Sequence, residues 1–197
     1  MLARNISLAK TALDSGGVVM LPTETVYGIA ARADMPKAVS KIYDIKGRNF
    51  DKPLAVCVKD IQQAQTLALI SPLSLELAQT FWPGPLTLVL PIIKNKPLLS
   101  PQCYQNETIA LRCPDINWRG KLLDYPLALT SANESGKDAA IDAHSPLNSR
   151  VDYVLDGGPS KHSAPSTIIS ITGNKTKLLR QGVLSADKFA PFDMVWQ

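Results

Sequence analysis

Two tripeptides carry the side chains of this sequence that are best suited to hold an anion. Lys46-Gly47-Arg48 places two cations around a glycine, and Ser131-Ala132-Asn133 places two small hydrogen-bonding side chains around an alanine. An arginine can bind phosphate through paired N–H groups, a lysine acts as a mobile point charge, and a glycine lets the backbone approach a ligand closely. The pair indicates a polyanion held from both sides, and therefore a protein that handles nucleotides.

Each tripeptide also has a purely structural interpretation. Lys46 and Arg48 close a predicted helix, where cations favour the negative end of the helix dipole. Ser131 and Asn133 follow a predicted strand, where their side chains can satisfy the backbone of a turn. The sequence has no glycine-rich phosphate loop of the Gly-Lys-Ser/Thr type, so side chains would do much of the work of holding a nucleotide.

The composition is ordinary for a soluble globular protein. The chain has 197 residues, of which 45% are hydrophobic and 19% charged, and this length suffices for one well-cored domain. A net charge of +4 favours anionic partners without requiring nucleic acid. The sequence has no apolar run of membrane-spanning length and no signal-peptide core, so we expect a cytoplasmic protein with its three cysteines reduced.

Helix and strand signals alternate along the chain, and these elements must position the tripeptides. Predicted helices cover 6–13, 36–46, 60–69 and 71–81, with prolines at the first turns of two of them and a Pro83-Gly84-Pro85 turn after the last. Predicted strands cover 18–21, 54–58, 86–90, 108–112, 127–130, 153–156, 167–171 and 176–179, the last two joined by a hairpin turn at Gly173-Asn174. The pattern predicts a single α/β domain over residues 1–197, built on a mixed sheet.

The segments with chemical potential lie at or just beyond the ends of these elements. In open α/β sheets, ligands bind in the crevice outside strand ends, where loops from distant parts of the sequence converge. We therefore expect both tripeptides to contribute to one site.

A set of ordered segments resembles the motifs of the YrdC/TsaC family, from about residue 6 to Arg180. The segments are Pro22-Thr23-Glu24-Thr25-Val26-Tyr27-Gly28, Lys46-Gly47-Arg48, Lys52-Pro53-Leu54, Trp82-Pro83-Gly84-Pro85-Leu86-Thr87, Ala110-Leu111-Arg112, Thr130-Ser131-Ala132-Asn133 and Ser166-Thr167-Ile168. The resemblance implies a YrdC-like α/β fold, with a twisted mixed β-sheet and flanking helices around a basic cavity. It also implies synthesis of L-threonylcarbamoyladenylate from L-threonine, bicarbonate and ATP, with release of pyrophosphate. This is the first step in forming threonylcarbamoyl-adenosine in tRNAs that read codons starting with A.

The resemblance also implies roles for individual residues. The residues expected to contact ATP are Lys46, Arg48, Lys52, Thr108, Ser131, Asn133 and Arg180, with Lys46 and Arg48 as the catalytic pair. Those expected to contact threonine are Thr25, Arg112 and Ser166, with Tyr27 as a wall of the pocket. Arg112 is the natural clamp for the threonine carboxylate. Two positions depart from the family pattern: some members have a histidine where Cys57 stands, and some have a hydroxyl residue near Ala139.

The implied reaction sets the expected cofactor and partners. Nucleotidyl transfer needs mainly positioning and charge neutralisation, which Lys46, Arg48 and a Mg²⁺ ion accompanying ATP would supply. No nucleophilic cysteine is required, and no protein-bound metal is expected. The resemblance implies hand-off of the product to the tRNA threonylcarbamoyl transferase complex, and the basic composition adds a weak affinity for RNA. No membrane partner is expected.

Other interpretations stay open at this point. Lys37 and Lys41, together with the first tripeptide, suit an RNA-binding module without catalysis, whose RNA affinity would fall steeply with salt. Carbamoyl-adenylate chemistry, as in the large hydrogenase-maturation proteins, would need zinc and acylphosphatase-like modules that this sequence lacks. Glu24 fits either a general base or a structural hydrogen-bond partner.

Overall fold

The fold is built on a ten-stranded mixed sheet, in a computed structural model that describes residues 5–93, 99–173 and 175–194. The strands are β1 (Val19–Leu21), β2 (Gly28–Arg32), β3 (Ala55–Cys57), β4 (Leu86–Pro91), β5 (Tyr104–Gln105), β6 (Thr108–Arg112), β7 (Leu127–Ser131), β8 (Tyr153–Val154), β9 (Thr167–Thr172) and β10 (Lys175–Arg180). The α-helices are α1 (Ile6–Asp14), α2 (Pro36–Lys46), α3 (Ile61–Gln65), α4 (Pro72–Phe81) and α5 (Arg119–Leu122). Short 3₁₀ turns cover Pro101–Cys103, Pro146–Arg150 and Ala186–Phe189.

The strand order brings distant parts of the sequence together at the centre of the sheet. The order is β10-β9-β4-β6-β3-β7-β2-β1-β8, with β5 pairing to β6 beside this path. The pairs β1–β8, β3–β6 and β4–β9 are parallel, and the remaining pairs are antiparallel. This arrangement confirms the predicted mixed sheet with flanking helices.

The helices begin where the sequence provides caps. The side chain of Asn5 accepts hydrogen bonds from two amides of α1, Asp60 caps α3, and Ser71 caps α4. Pro36 and Pro72 occupy first-turn positions, where their missing N–H is not needed.

The two faces of the sheet are covered differently. On one face, residues such as Val56, Leu88 and Leu111 pack against α2, α3 and α4 in the main core. On the other face, α1 and α5 cover only the end of the sheet near β1 and β2, where Trp118 is fully buried and its indole N–H donates to the Pro22 carbonyl at 2.7 Å. Farther along that face, Ala55 and Ala110 are half-buried although they lie on central strands. The sheet therefore has an uncovered region at its centre.

Several element boundaries differ from the prediction. Helix α3 ends at Gln65 instead of residue 69, because the Leu69 N–H donates to Pro91 and Ala68 pairs with Ile92, which draws the segment to the sheet. Strand β8 ends at Val154 instead of residue 156. The predicted strands at 18–21 and 54–58 are also shorter, and Asn174 of the predicted hairpin turn lies outside the described residues.

Strand β2 is absent from the prediction. Its sequence, Gly-Ile-Ala-Ala-Arg, has one β-branched residue and no alternation, so strand propensity is low. Pairing with β1 on one side and β7 on the other forms the strand nevertheless. Tertiary context therefore outweighs local propensity here.

Gly28 has no space for a side chain between its neighbouring strands. A Cβ atom there would lie 2.9 Å from Leu129 Cδ2 and 3.0 Å from the Thr130 carbonyl oxygen. We expect Gly28→Ala to lower the free energy of unfolding by about 1–3 kcal/mol, measured by urea denaturation. Gly120→Ala is the matched control, since no described atom beyond its chain neighbours and its own helix backbone lies within 4 Å of the added Cβ, and alanine favours helix α5. Equal free energies of unfolding for Gly28→Ala and wild type would contradict this account.

Candidate active site

A cavity of about 580 Å³ lies on the uncovered part of the sheet. Its floor consists of alternate residues on the three central strands: Ala55 and Cys57 on β3, Thr87 and Val89 on β4, and Thr108, Ala110 and Arg112 on β6. Strand ends and the loops beside them form the walls, chiefly residues 25–27, 130, 131, 133, 137–139 and 165–166, together with Arg48 and Arg180. This volume lies within the range of small-molecule sites, roughly 300–1,000 Å³.

The cavity is positively charged. Among its described lining residues, the cations are Arg48, Arg112, Lys137 and Arg180, and the carboxylate is Asp138. Such an excess of cations suits an anionic ligand.

Lys46 joins the two tripeptides directly. Its ammonium donates to the Ser131 carbonyl at 2.5 Å, to the Asn133 carbonyl at 2.6 Å and to Asn133 Oδ1 at 3.1 Å, and the residue is 3% exposed. In return, the Ser135 N–H donates to the Lys46 carbonyl at 3.0 Å. The tripeptides were expected to hold an anion from two sides, yet they are in contact. Lys46 does not line the cavity, and it is fixed where a mobile charge was expected.

The environment of Lys46 changes its protonation. Burial, and secondarily the positive charge of Arg48, lower the pKa of Lys46 from 10.5 to about 8. Three oxygen acceptors require all three N–H groups of the ammonium, so the geometry described here is that of the charged form.

Asn133 fixes the loop that it begins. Its side-chain NH₂ donates to the Glu134 carbonyl at 2.9 Å and to the Lys137 carbonyl at 2.6 Å. The Ser131 hydroxyl donates to Asn133 Oδ1 at 2.5 Å. These bonds are the local backbone role anticipated as the structural interpretation, and they leave both residues on the cavity wall.

Arg48 lies at the cavity wall, half-buried and held by the backbone that follows it. Its Nε donates to the Lys52 carbonyl at 3.3 Å and its Nη2 to the Pro53 carbonyl at 3.1 Å. The Lys52 side chain is exposed and does not line the cavity. Lys52, an expected ATP contact, is therefore not among the residues that form the cavity.

Arg112 and Glu24 form a buried ion pair at one end of the cavity. Arg112 Nη2 lies 2.7 Å from Glu24 Oε1, with the side chains 7% and 5% exposed. Arg112 Nε also donates to the Gly84 carbonyl at 3.4 Å. Glu24 does not line the cavity, whereas Arg112 does, so the carboxylate lies behind the guanidinium as seen from the cavity.

Ser166 connects Arg180 to the strand beside Arg112. Arg180 donates to the Ser166 carbonyl from Nε at 3.0 Å and from Nη2 at 2.9 Å, and Nη2 also contacts the hydroxyl at 3.1 Å. That hydroxyl is 2.9 Å from Thr87 Oγ1, and Thr87 pairs across the sheet with Arg112. Burial first and the charge of Arg112 second lower the pKa of Arg180.

The segment before β2 supplies two more walls. Thr25 is fully buried, and its hydroxyl is 2.7 Å from that of Thr23. The Tyr27 hydroxyl donates to the Gly158 carbonyl at 2.7 Å and accepts from the Gly157 N–H at 3.0 Å. Both residues line the cavity, so this segment is anchored at both of its ends.

The structure gathers most of the predicted site residues at one place. Those that line the cavity are Thr25, Tyr27, Arg48, Thr108, Arg112, Ser131, Asn133, Ser166 and Arg180. Lys46 and Lys52 lie outside the lining. Cys57 and Ala139, the two positions that depart from the family pattern, are part of it.

Sequence reasoning missed several lining residues, and those with polar side chains are Thr87, Gln105, Thr130, Lys137 and Asp138. Thr87 belongs to a quoted motif and alternates with Leu86 and Leu88, a signal that could have found it. Lys137 and Asp138 lie in an exposed loop without a pattern, and only the fixed geometry of residues 133–137 brings them to the cavity.

The thiols have the properties of packing residues. Burial raises the pKa of Cys57 and Cys103 to about 12 and that of Cys113 to about 11, and all three are free. Across the described ranges, histidine, cysteine and acidic side chains form no group of three or more that could hold a metal ion. The helices of these ranges include none with the length and apolar character needed to cross a bilayer.

The fold and the basic cavity define a class of α/β proteins whose site suits an anionic substrate. Comparison with known proteins narrows the class: residues 11–182 match the Sua5/YciO/YrdC family model, which carries the description "Telomere recombination". The chain belongs to this family.

Relatives in this family are similar over almost the whole chain. A Methanocaldococcus jannaschii protein, provisionally named a threonylcarbamoyl-AMP synthase, is 38% identical over 94% of this chain and 89% of its own length. Bacillus subtilis threonylcarbamoyl-AMP synthase is 39% identical over 93% of this chain, which spans 55% of that relative. The structure of Pyrococcus abyssi Sua5 complexed with L-threonine superposes with a TM-score of 0.87 at 34% identity, covering 98% of this chain and 58% of that one.

The titration of Lys46 should appear in the stability of the protein. Between pH 8 and 10.5, the lysine is charged in the unfolded chain and largely neutral in the folded one, so raising the pH disfavours unfolding. We expect the free energy of unfolding of wild type, relative to Lys46→Met, to rise by about 1–3 kcal/mol across this window. Urea denaturation of both proteins at pH 7, 8.5 and 10 measures the difference, in which other titrating groups cancel. A difference that falls with pH would show that the three oxygen acceptors keep Lys46 charged.

Proposed function

We infer that this protein is an enzyme that makes L-threonylcarbamoyl-AMP from L-threonine, bicarbonate and ATP, with release of pyrophosphate. One observation carries the inference: a basic cavity on the open face of the sheet gathers nine residues that the family resemblance assigns to ATP and threonine. Relatives named threonylcarbamoyl-AMP synthase, at 36–39% identity over most of the chain, support it. The reaction is the first step of threonylcarbamoyl-adenosine formation in tRNA.

The cavity offers separate places for the two larger substrates. We place the phosphates of ATP at Arg48, Ser131 and Asn133, where cationic and hydrogen-bonding groups meet at one wall. Thr108 and Arg180 complete the proposed ATP contacts.

We place L-threonine at the end of the cavity near the buried ion pair. There the Arg112 guanidinium binds the carboxylate, and the hydroxyls of Ser166 and Thr25 lie on neighbouring walls. Cys57 is the cross-strand neighbour of Arg112 and supplies an apolar surface at the position where some family members have histidine.

The chemistry requires positioning more than covalent help. The threonine amine and bicarbonate combine to an N-carboxylate with loss of water, and one of its oxygens attacks the α-phosphorus of ATP while the bond to pyrophosphate breaks. Arg48 neutralises the phosphates, and Arg112 orients the amino acid. Lys46 contributes from outside the cavity lining, because its ammonium holds the segment with Ser131 and Asn133 in place. Its proposed catalytic role is therefore that of a positioning residue.

Mg²⁺ fits this site as an ion that ATP carries. Asp138 is the one carboxylate among the described lining residues, whereas Mg²⁺ needs six oxygen ligands, so phosphates and water would provide most of them. The ion would add charge neutralisation at the phosphates.

The proposed partner and cellular compartment follow from the chemistry of the product. A mixed anhydride is labile in water, which favours direct hand-off to the tRNA threonylcarbamoyl transferase complex in the cytoplasm. The alternative, an RNA-binding module without catalysis, predicts RNA affinity without nucleotide turnover. Weak RNA binding beside catalysis stays part of the proposal.

Pyrophosphate release tests the proposed reaction. The protein is incubated with ATP, Mg²⁺ and bicarbonate, with each amino acid in turn, and pyrophosphate is measured. We expect release that depends on both threonine and bicarbonate. Equal release without threonine would contradict the proposed activity, and salt-sensitive RNA binding without any release would support the alternative.

Arg48 should govern the use of ATP. We expect Arg48→Gln to raise KM for ATP about 10- to 100-fold, because a charge-assisted contact to phosphate is lost. KM for threonine should change far less. Lys121→Gln, at an exposed lysine of α5 outside the cavity, is the charge-matched control and should behave as wild type. If KM for ATP is the same in Arg48→Gln and wild type, the guanidinium serves only its backbone contacts at residues 52 and 53.

A further inference from the structure

The three arginines of the cavity are all held through the same edge of the guanidinium group, the one formed by Nε and Nη2. In each, Nε and Nη2 contact fixed oxygen atoms of the protein, and Nη1 has no hydrogen-bond partner among the described residues. The acceptors are the Lys52 and Pro53 carbonyls for Arg48, the Gly84 carbonyl and Glu24 Oε1 for Arg112, and the Ser166 carbonyl and hydroxyl for Arg180. Each guanidinium is thereby fixed before any ligand arrives, which lowers the cost of binding.

Arg112 differs from the other two in the charge of its partner. Arg48 and Arg180 contact neutral oxygens, whereas Arg112 contacts the carboxylate of Glu24 at 2.7 Å. Glu24 is 95% buried, and neither carboxylate oxygen has a well-aligned hydrogen-bond donor in the described part of the chain. The contact is therefore mainly an attraction between charges, strengthened by the low local dielectric.

This pairing makes the two ends of the cavity electrostatically different. At the end assigned to phosphate, Arg48 contacts carbonyl oxygens and has no acidic partner among the described residues. At the end assigned to the amino acid, Glu24 compensates Arg112. Arg180, which we assigned to ATP, borders this end through its contact with Ser166 and the hydrogen bond between Ser166 and Thr87. Removal of the carboxylate would leave two uncompensated guanidinium groups near each other.

We propose that Glu24 is a specificity-determining residue, which fixes Arg112 and cancels its charge so that the amino-acid end accepts a zwitterion and excludes inorganic dianions. The proposal rests on the function inferred above. A zwitterion has no net charge and needs only the free N–H groups of Arg112 for its carboxylate. A phosphate or sulfate dianion needs uncompensated positive charge to replace its hydration. Phosphate compounds are present throughout the reaction, so this exclusion keeps the amino-acid end available.

Glu24→Gln tests the proposal, because it keeps the shape of the side chain and removes its charge. Threonine-dependent pyrophosphate release is measured at saturating ATP with increasing sodium sulfate, at constant ionic strength. We expect KM for threonine to rise about tenfold and sulfate to become a competitive inhibitor against threonine, with an inhibition constant about tenfold lower than for wild type. Glu76→Gln, at an exposed glutamate of α4, is the control and should match wild type.

Two further variants separate this role from a structural one. Glu24→Asp keeps the charge and should restrict sulfate nearly as well as wild type. The double variant Glu24→Gln/Arg112→Gln removes both charges and should lose the sulfate inhibition that depends on Arg112. The proposal is overturned if sulfate inhibition persists in the double variant. It is also overturned if Glu24→Gln lowers kcat or stability but leaves sulfate sensitivity as in wild type. If Glu24→Gln does not fold, Glu24→Ala takes its place as the variant without the charge, and the same two results support or overturn the proposal.

A readout without turnover separates this proposal from the proposed function. The rise in Tm caused by sulfate is measured for wild type, Glu24→Gln and Glu76→Gln. A larger rise in Tm for Glu24→Gln than for the other two proteins supports charge compensation of Arg112 by Glu24. This holds even if wild type releases no pyrophosphate with threonine. Such a lack of release would refute the proposed function and the zwitterion as ligand, but not the charge compensation. Equal rises in all three proteins overturn the compensation itself.

Discussion

The site depends on a buried ammonium group. Lys46, the last residue of α2, links the helix to the loop after β7 through bonds in both directions, from its side chain to residues 131 and 133 and from residue 135 to its carbonyl. Charge is costly to bury, and here three oxygen acceptors and the adjacent cavity offset that cost. Because the same loop places Asn133, Lys137 and Asp138 at the cavity wall, one lysine outside the cavity determines the shape of the wall that we propose for phosphate.

The sequence predicted the fold and the membership of the site more fully than the geometry of the site. First-turn prolines located α2 and α4, whereas α5 and β5 are absent from the prediction. The prediction gives β6 its observed bounds, because Thr-Ile-Ala-Leu-Arg alternates toward core and cavity. Strand β2 was missed because its small residues depend on neighbours on both sides. The sequence predicts Lys46 and Arg48 as two neighbouring phosphate ligands. The folded chain shows that Arg48 lines the cavity, whereas Lys46 lies outside the lining. Glu24 contacts Arg112 on the side away from the cavity. Such a contact joins segments that are distant in the sequence, so no local sequence pattern predicts it.

Fixed arginines and a fixed loop have a common physical basis in backbone carbonyl groups. Strand ends and turns leave carbonyl oxygens without a partner in the sheet, and these oxygens need donors. The cations at and beneath the cavity wall provide them: Lys46 to the loop after β7, Arg48 to the turn before β3, and Arg180 to Ser166. The same contacts therefore satisfy the backbone and orient the cations, which explains why a structural and a functional interpretation of each tripeptide both fit.

The two alanines at the centre of the cavity floor have a consequence for how such a protein can change over time. Ala55 and Ala110 lie on the adjacent central strands β3 and β6 and form part of the floor, whereas the charged side chains among the described lining residues lie at the last residue of a strand or in a loop. Different residues therefore determine the depth of the cavity and the charges that its ligand meets. A few added carbons at either alanine would make the chamber shallower and leave the charges in place, while substitutions in the loops would alter the charges and leave the chamber as deep as before. A family on this sheet can explore substrates of different size and different charge along two independent routes.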